Sequence, residues 1–273
     1  MRYDAGNVGD LIKHEWLLRC LDWLPRGGCF YDPFAGQPEY EAAQAVGERL
    51  LAAPADLLLR EAQSDALSRG RYLGSTGLAE RLIPKSSIHC FDEDANKRDA
   101  LQQAGYTIVT PIDNDGYRAL AGIPTQQPPP QLLLLDPYNL LGVLQGERQG
   151  ERPDAFWSDL ATWPRAVLLF ILNKYPDNST AALYAARLRE LGGKRPVAGC
   201  LVPPISNSGI KGERKSFVEM LYLPEKSITP YSFNVRCRSL ARGADAVAET
   251  LRLAFARVQV PTYSRERVEF CER

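Results

Sequence analysis

Four aspartates, each placed after a short apolar run, are the groups in this chain best suited to hold a polar ligand. The most telling is Asp136, which with Pro137 and Tyr138 closes the run Leu132 to Leu135. Such a run predicts a buried parallel strand that delivers a carboxylate and a ring to the rim of a sheet. Ligands of open α/β sheets bind just outside those carboxyl ends. Methyl transfer to an exocyclic amine needs this equipment: oxygen acceptors to grip the NH2 and an aromatic face to clamp the flat base. A strand that merely ends in an Asp-Pro turn has the same residues.

The other three aspartates repeat the pattern. Asp32-Pro33-Phe34-Ala35-Gly36 follows the run Cys29 to Tyr31, and small residues in a strand-to-helix turn let backbone approach a ligand closely. The turn is not Gly-x-Gly-x-x-Gly, so it suits a ligand without phosphates, such as S-adenosylmethionine (SAM), or a tight turn with no ligand. Asp92 ends Ile88 to Phe91, where a carboxylate can accept both hydroxyls of a ribose; a solvated acidic turn is the rival reading. That acid usually lies about 20 residues beyond the glycine turn, and the much longer gap here predicts an insertion of helices over 40–83. Asp115-Gly116 can take the amine of an adenine, and is also an ordinary turn.

The opening Asp4-Ala5-Gly6-Asn7-x-x-Asp10-x-x-Lys13-His14 puts turn residues before a helix that Asp10 is suited to cap. Lys13 and His14 then fall in the first turn, where the helix dipole disfavours cations, so a ligand or a carboxylate partner is expected for them. A hydrogen-bonded structural histidine is the plainer alternative. His14 and His89 are the only histidines, which excludes a multi-histidine metal site. Six cysteines without a Cys-x-x-Cys pair point to reduced, mostly buried thiols of a cytoplasmic protein, and no metal is expected. Lys+Arg and Asp+Glu both count 33, so a nucleic-acid partner requires a local basic face. Lys211 to Lys215 (with Arg214), Arg69 to Arg71, and Arg236, Arg238 and Arg242 are the clusters that could supply one, although each alone also fits a solvated surface. No apolar run reaches the length of a membrane span, and Met1 to Asp4 does not read as a signal peptide.

These residues need elements to position them. Helical spacing predicts helices over Asp10–Leu24, Tyr40–Ala53, Asp56–Ser68, Gly77–Ile83, Ala95–Ala104, Tyr117–Ala121, Pro153–Thr162, Ser179–Leu191 and Gly243–Val258. Strands are predicted at Cys29–Tyr31, Ile88–Phe91, Tyr106–Ile112, Leu132–Leu135, Ala166–Leu172, Val197–Val202 and Phe217–Leu223, with Tyr231–Cys237 as a further strand. The alternation predicts an α/β protein: a doubly wound, mostly parallel sheet with an antiparallel edge, in a single domain over 1–273.

Taken together, Tyr3, Asp4-Ala5-Gly6-Asn7, Asp10, Lys13-His14, Asp32-x-x-Ala35-Gly36, Gly74-Ser75, Asp92, Asp115-Gly116 and Asp136-Pro137-Tyr138 resemble the RlmJ family. Those bacterial class I SAM-dependent enzymes methylate adenine N6 in 23S ribosomal RNA. Order and spacing agree over roughly residues 1–140, and more weakly through Lys174-Tyr175-Pro176 and 197–223. The resemblance implies a Rossmann-like, seven-stranded fold with the 40–83 insertion. It implies SAM contacts at His14, Phe34, Ser75, Asp92, Asp115 and Gly116, with Asp32, Ala35 and Gly36 forming the turn. It implies catalysis at Asp136, with Pro137 and Tyr138 gripping the base, and a gating tyrosine at Tyr3. Lys13, Lys211 and Arg214 are the expected substrate contacts. Three departures stand out: Asp4 and Phe34 replace family histidines, and a second proline is missing before Tyr138.

The expected activity is SAM-dependent methylation of an adenine N6 in RNA, as part of rRNA processing in the cytoplasm. Two rivals remain: a methyltransferase with a protein, DNA or small-molecule acceptor, and a SAM-binding interaction protein without catalysis.

Overall fold

A computed structural model describes residues 8–42, 44–110, 130–136, 166–173, 198–202 and 217–255. In chain order its elements are α1 (Val8–Asp22), β1 (Phe30–Asp32), β2 (Glu39–Glu41), α2 (Gln44–Leu51), α3 (Leu58–Ser68), β3 (Arg71–Leu73), α4 (Ser75–Ala79), β4 (Ile88–Cys90), α5 (Ala95–Gln103), β5 (Thr107–Ile108), β6 (Leu132–Leu135), β7 (Ala166–Asn173), β8 (Ala198–Val202), β9 (Phe217–Leu223) and α6 (Pro230–Phe255). The chain forms two compact units.

The first unit joins Met1–Leu134 to Ser239–Gln259. Its parallel strands run in the order β5-β4-β1-β6, with Phe30 opposite both Ile88 and Leu132. Numbered along the chain, that order is 3-2-1-4, the half-sheet of a doubly wound Rossmann-like fold. Strand order reverses between β1 and β6, the kind of switch point at which ligands of open α/β sheets bind. Leu132 to Leu135 are buried throughout, as a strand covered on both faces requires.

The insertion is mixed rather than wholly helical. Beside α2, α3 and α4 it holds an antiparallel ribbon in which Tyr40 sits opposite Tyr72. The expected helix from Tyr40 therefore begins only at Gln44. Gln63 explains the strand at 71–73: its buried side-chain amide donates to Leu73 O and accepts from Leu73 N–H, at 2.9 and 2.8 Å, as a neighbouring strand would. Gly74 and Gly77 bring α4 onto the loop before β2. A Cβ on either would lie 2.3 or 2.4 Å from the carbonyls of Gln37 and Pro38.

The second unit comprises Leu135–Arg238 and Val260–Arg273. In it β9 pairs antiparallel with β7 on one side and β8 on the other; an antiparallel portion was expected, its strand order was not. The strand expected over Tyr231–Cys237 is instead the start of α6. Thr229 caps that helix, accepting Ser232 N–H at 3.2 Å, and Pro230 occupies the first position, where its missing N–H costs nothing. Phe233, Cys237 and Leu240 are buried at helical spacing, so the aromatic and β-branched composition that suggested a strand gives way to a 3.6-residue period.

Candidate functional site

The sequence calls for a polar site at the ends of β1 and β4, and the first unit builds one from α1, two turns and the ribbon. Helix α1 is buried from Gly9 to Leu21. Yet it carries Asp10, Lys13, His14, Glu15 and Arg19, and buried charges persist only when paired. Lys13 Nζ lies 3.0 Å from Asp10. This is the carboxylate partner the sequence demanded. It also corrects the expected cap: the helix starts at Val8, and Asp10 lies inside it. Glu15 bonds Arg19 at 2.6 Å and accepts Leu59 N–H at 2.9 Å, serving the start of α3, where Leu57 offers no cap. Burial raises the Glu15 carboxyl, and Arg19 opposes the rise. Arg19 also donates to Asp56 O and Ser239 Oγ.

His14 Nδ1 is 2.8 Å from Tyr72 Oη. Burial first, and then Lys13, pull the imidazole down to about 3, against Asp10, so it is neutral near pH 7. The expected conflict between a cationic His14 and the helix dipole does not arise.

The turn after β1 is held from both sides. Asp32, 1 % exposed, accepts Phe34 N–H at 2.9 Å and the Ser75 hydroxyl. Ala35 N–H reaches Phe91 O at 2.9 Å, tying this turn to the one after β4. There the acidic cluster separates by task. Asp94 caps α5 through Asn96 N–H, Glu93 is exposed, and Asp92 turns inward. Its carboxylate accepts Gly36 N–H and Asp94 N–H, each at 2.9 Å, and Lys97 approaches to 3.4 Å. Arg98 grips the Asp92 and Glu93 carbonyls and lies over the Phe91 ring.

Gly36 has φ +65°, so glycine is required there. One close approach it permits is that of Tyr40. A Cβ would sit 2.1 Å from Tyr40 Oη, which accepts Gln37 N–H at 2.7 Å. Burial pushes the Tyr40 phenol up to about 12, and the charges of Lys13, Asp10 and Asp92 all act on it. One neighbourhood thus contains the α1 motif and both strand ends.

The structure therefore brings Lys13, His14, Asp32, Phe34, Ala35, Gly36, Ser75 and Asp92 together in the first unit. Asp136 follows β6 in the second unit and is half-buried. Tyr3, Asp115, Gly116, Pro137, Tyr138, Lys211 and Arg214 lie outside the described residues. Sequence reasoning missed Tyr40, Tyr72 and Lys97. The alternation Glu39-Tyr40-Glu41 was the available signal for the first of these.

Of the basic clusters, Arg69 pairs with Asp65 and Glu39, and Arg71 with Glu39, so this stretch carries little unbalanced positive charge. Arg236 pairs with Glu225 at 2.7 Å, whereas Arg238 and Arg242 are exposed. A cleft of about 470 Å³ bounded by Glu80, Lys85, Ala104 and Tyr106 lies at the amino ends of β4 and β5, the opposite ends from Asp92. Among the described residues no group of His, Cys, Asp and Glu has the geometry of a metal site, and no helix is long and apolar enough to cross a membrane. Cys20, Cys29, Cys90 and Cys237 are buried.

Sheet order and site together define a Rossmann-like α/β protein with a carboxylate-lined site at the carboxyl ends of its parallel strands. Its fold is similar to that of protein LPL1258 from Legionella pneumophila str. Philadelphia 1, described with the family DUF519: 18% identity, 92% of this chain and 94% of that chain covered, TM-score 0.62. A slighter likeness is to precorrin-6y C5,15-methyltransferase from Geobacter metallireducens GS-15: 11% identity, 76% and 85% covered, TM-score 0.35. No family model and no curated protein matches the chain.

Proposed function

We propose that the chain is a SAM-dependent methyltransferase of the class I, Rossmann-like type, acting on an exocyclic amine, with adenine N6 in 23S ribosomal RNA as the acceptor and the cytoplasm as its place of action. The four parallel and three antiparallel strands are then the two parts of one seven-stranded sheet in a single domain, with 40–83 inserted. The observation that carries the reading is Asp92. It is buried at the end of the second strand, and each carboxylate oxygen is fixed by one backbone N–H; Oδ1 keeps a lone pair for a further donor, and Oδ2 also faces Lys97 Nζ at 3.4 Å. Two adjacent hydroxyls of a ribose match that acceptor pair. The sulfonium of SAM supplies an activated methyl group.

In this reading Ser75, its hydroxyl donated to Asp32, offers its lone pairs to the cofactor, beside Phe34, Ala35 and His14. Asp115 and Gly116 take the adenine end. Asp136 accepts from the target amine and then holds its proton, and the Pro137 carbonyl accepts the second N–H. That pairing favours the pyramidal form, in which the nitrogen lone pair is free to attack. Tyr138 stacks on the base, which must leave its helix to reach the site. Tyr3, Lys13, Lys211 and Arg214 lie along the substrate path. Tyr138 stands one residue earlier than in the family's Asp-Pro-Pro-Tyr, and this favours, as a second reading, another acceptor or binding without transfer. Tritiated-methyl transfer from SAM to RNA, DNA and protein fractions of a deletion strain separates them. Label confined to RNA is expected; label in another fraction, or in none, overturns the first reading.

A further inference from the structure

The ribbon of the insertion carries two tyrosines directly opposite each other in an antiparallel pair, Tyr40 and Tyr72. Side chains opposite one another in such a pair point to the same face. Here both reach the proposed cofactor site, from different sides.

Tyr40 is a wedge between two glycines. Its Oη fills the place of a Cβ on Gly36, and its Cε2 lies 3.1 Å from where a Cβ on Gly74 would be. Gly36 sends its N–H to Asp92, and Gly74 precedes Ser75, which bonds Asp32. The Tyr40 hydroxyl closes the arrangement by accepting Gln37 N–H. One ring therefore sets the spacing of the turns that hold both carboxylates.

Tyr72 works on His14. A neutral imidazole has one donor nitrogen and one acceptor nitrogen, and the partner of the first decides which is which. Tyr72 is buried, and a buried phenol that only accepted would leave its O–H without an acceptor. Its hydrogen therefore goes to Nδ1 of His14, 2.8 Å away. Burial keeps the phenol protonated and the imidazole neutral, as this requires.

We infer that Tyr40 and Tyr72 are positioning residues of the cofactor site: Tyr40 fixes the Gly36 and Gly74 turns, and Tyr72 holds His14 as its Nε2–H tautomer, a hydrogen-bond donor rather than a base. The inference rests on the proposed cofactor reading for its consequence, but the tautomer is observable without any ligand.

The test uses the full chain with ¹⁵N-labelled histidine. His14 and His89 are the only two histidines, so His89→Gln assigns both. Long-range ¹H–¹⁵N correlation at pH 7 should show His14 protonated at Nε2 and bare at Nδ1. In Tyr72→Phe the two forms should mix. A wild-type His14 protonated at Nδ1, or a spectrum unchanged by Tyr72→Phe, overturns the assignment to Tyr72. Calorimetry with SAM and with S-adenosylhomocysteine reads Tyr40. Tyr40→Phe keeps the ring and deletes only the hydroxyl, and should weaken binding about tenfold, the scale of one lost hydrogen bond. Wild-type affinity in Tyr40→Phe overturns its role. Absence of binding by the wild type sinks the cofactor reading instead, and the His14 spectrum still decides the tautomer.

Discussion

Acid should unfold the first unit through His14, and the size of the effect follows from its burial. His14 is 3 % exposed, bonded to Tyr72 and flanked by Lys13, and its pKa lies at about 3 against the ordinary 6.5. The folded pKa is the lower one, so the stability that comes from keeping the ring neutral is complete above pH 6.5. It is lost as pH falls towards 3, because the unfolded chain takes up a proton that the folded chain refuses. The slope is about 1.4 kcal/mol per pH unit, and the whole window corresponds to about 5 kcal/mol. That is comparable to the total stability of many domains. The perturbation is His14→Gln, which retains polar atoms but cannot titrate. At pH 7 the variant should be less stable by about 1–2 kcal/mol through the lost Tyr72 contact. Below pH 6.5 the wild type should lose that lead, and the two stabilities should cross near pH 5. Urea unfolding at pH 7, 6, 5 and 4, followed by fluorescence of buried tryptophan (Trp16 sits two residues away), measures the difference. His89, whose pKa burial also lowers, and the carboxylates titrate in both proteins and cancel. Parallel curves for the two proteins across this range would refute the argument.

Asp92→Ala should weaken SAM binding by roughly 1.5–3 kcal/mol, the scale of hydrogen bonds to a charged group, as read by calorimetry. Asp136→Asn should leave that affinity unchanged and slow methyl transfer about 10²-fold; a wild-type rate would remove Asp136 from the chemistry. Gly36→Ala meets a positive φ and the Tyr40 hydroxyl together, and should cost about 2–4 kcal/mol. Tyr40→Phe should recover part of that cost, so a double-mutant cycle with zero coupling would count against the wedge. Reversing Lys211, Arg214 and Lys215 to Glu should flatten the salt dependence of RNA binding measured by filter retention, and an unchanged slope would take this segment out of the interface.

The parallel half-sheet was legible because three of its strands are short apolar runs that stop on or before aspartate; Leu132–Leu135 matches its expected bounds to the residue, as does Phe217–Leu223 among the antiparallel strands. Asp92 was legible for the same reason. The ribbon was not, because Arg71–Leu73 offers three residues without alternation and owes its extended form to Gln63, a partner ten residues away whose role no local pattern announces. Gly36 was read as a turn, but the approach of Tyr40 to it had no local signal, since it depends on the ribbon. The start of α6 was misjudged because Tyr231, Phe233 and Val235 alternate as a strand does. The Thr229-Pro230 start signal outweighs that alternation once Phe233, Cys237 and Leu240 are buried together. Lys13 and His14 were recognised as needing partners, but that Asp10 would serve one and Tyr72 the other follows only from packing.

Arg19 carries a consequence for how the chain is made. It bonds Ser239, and it packs so closely on Gly243 that a Cβ there would meet its Nε at 2.5 Å. Both of those residues belong to the same unit as Arg19 but follow 135–238 in the chain. On a ribosome adding roughly 5–20 residues per second, the buried Glu15–Arg19 pair of a nascent chain waits on the order of 10–45 seconds for this cover, which lies 220 residues further on. The first unit to emerge thus closes only after most of the second has been made.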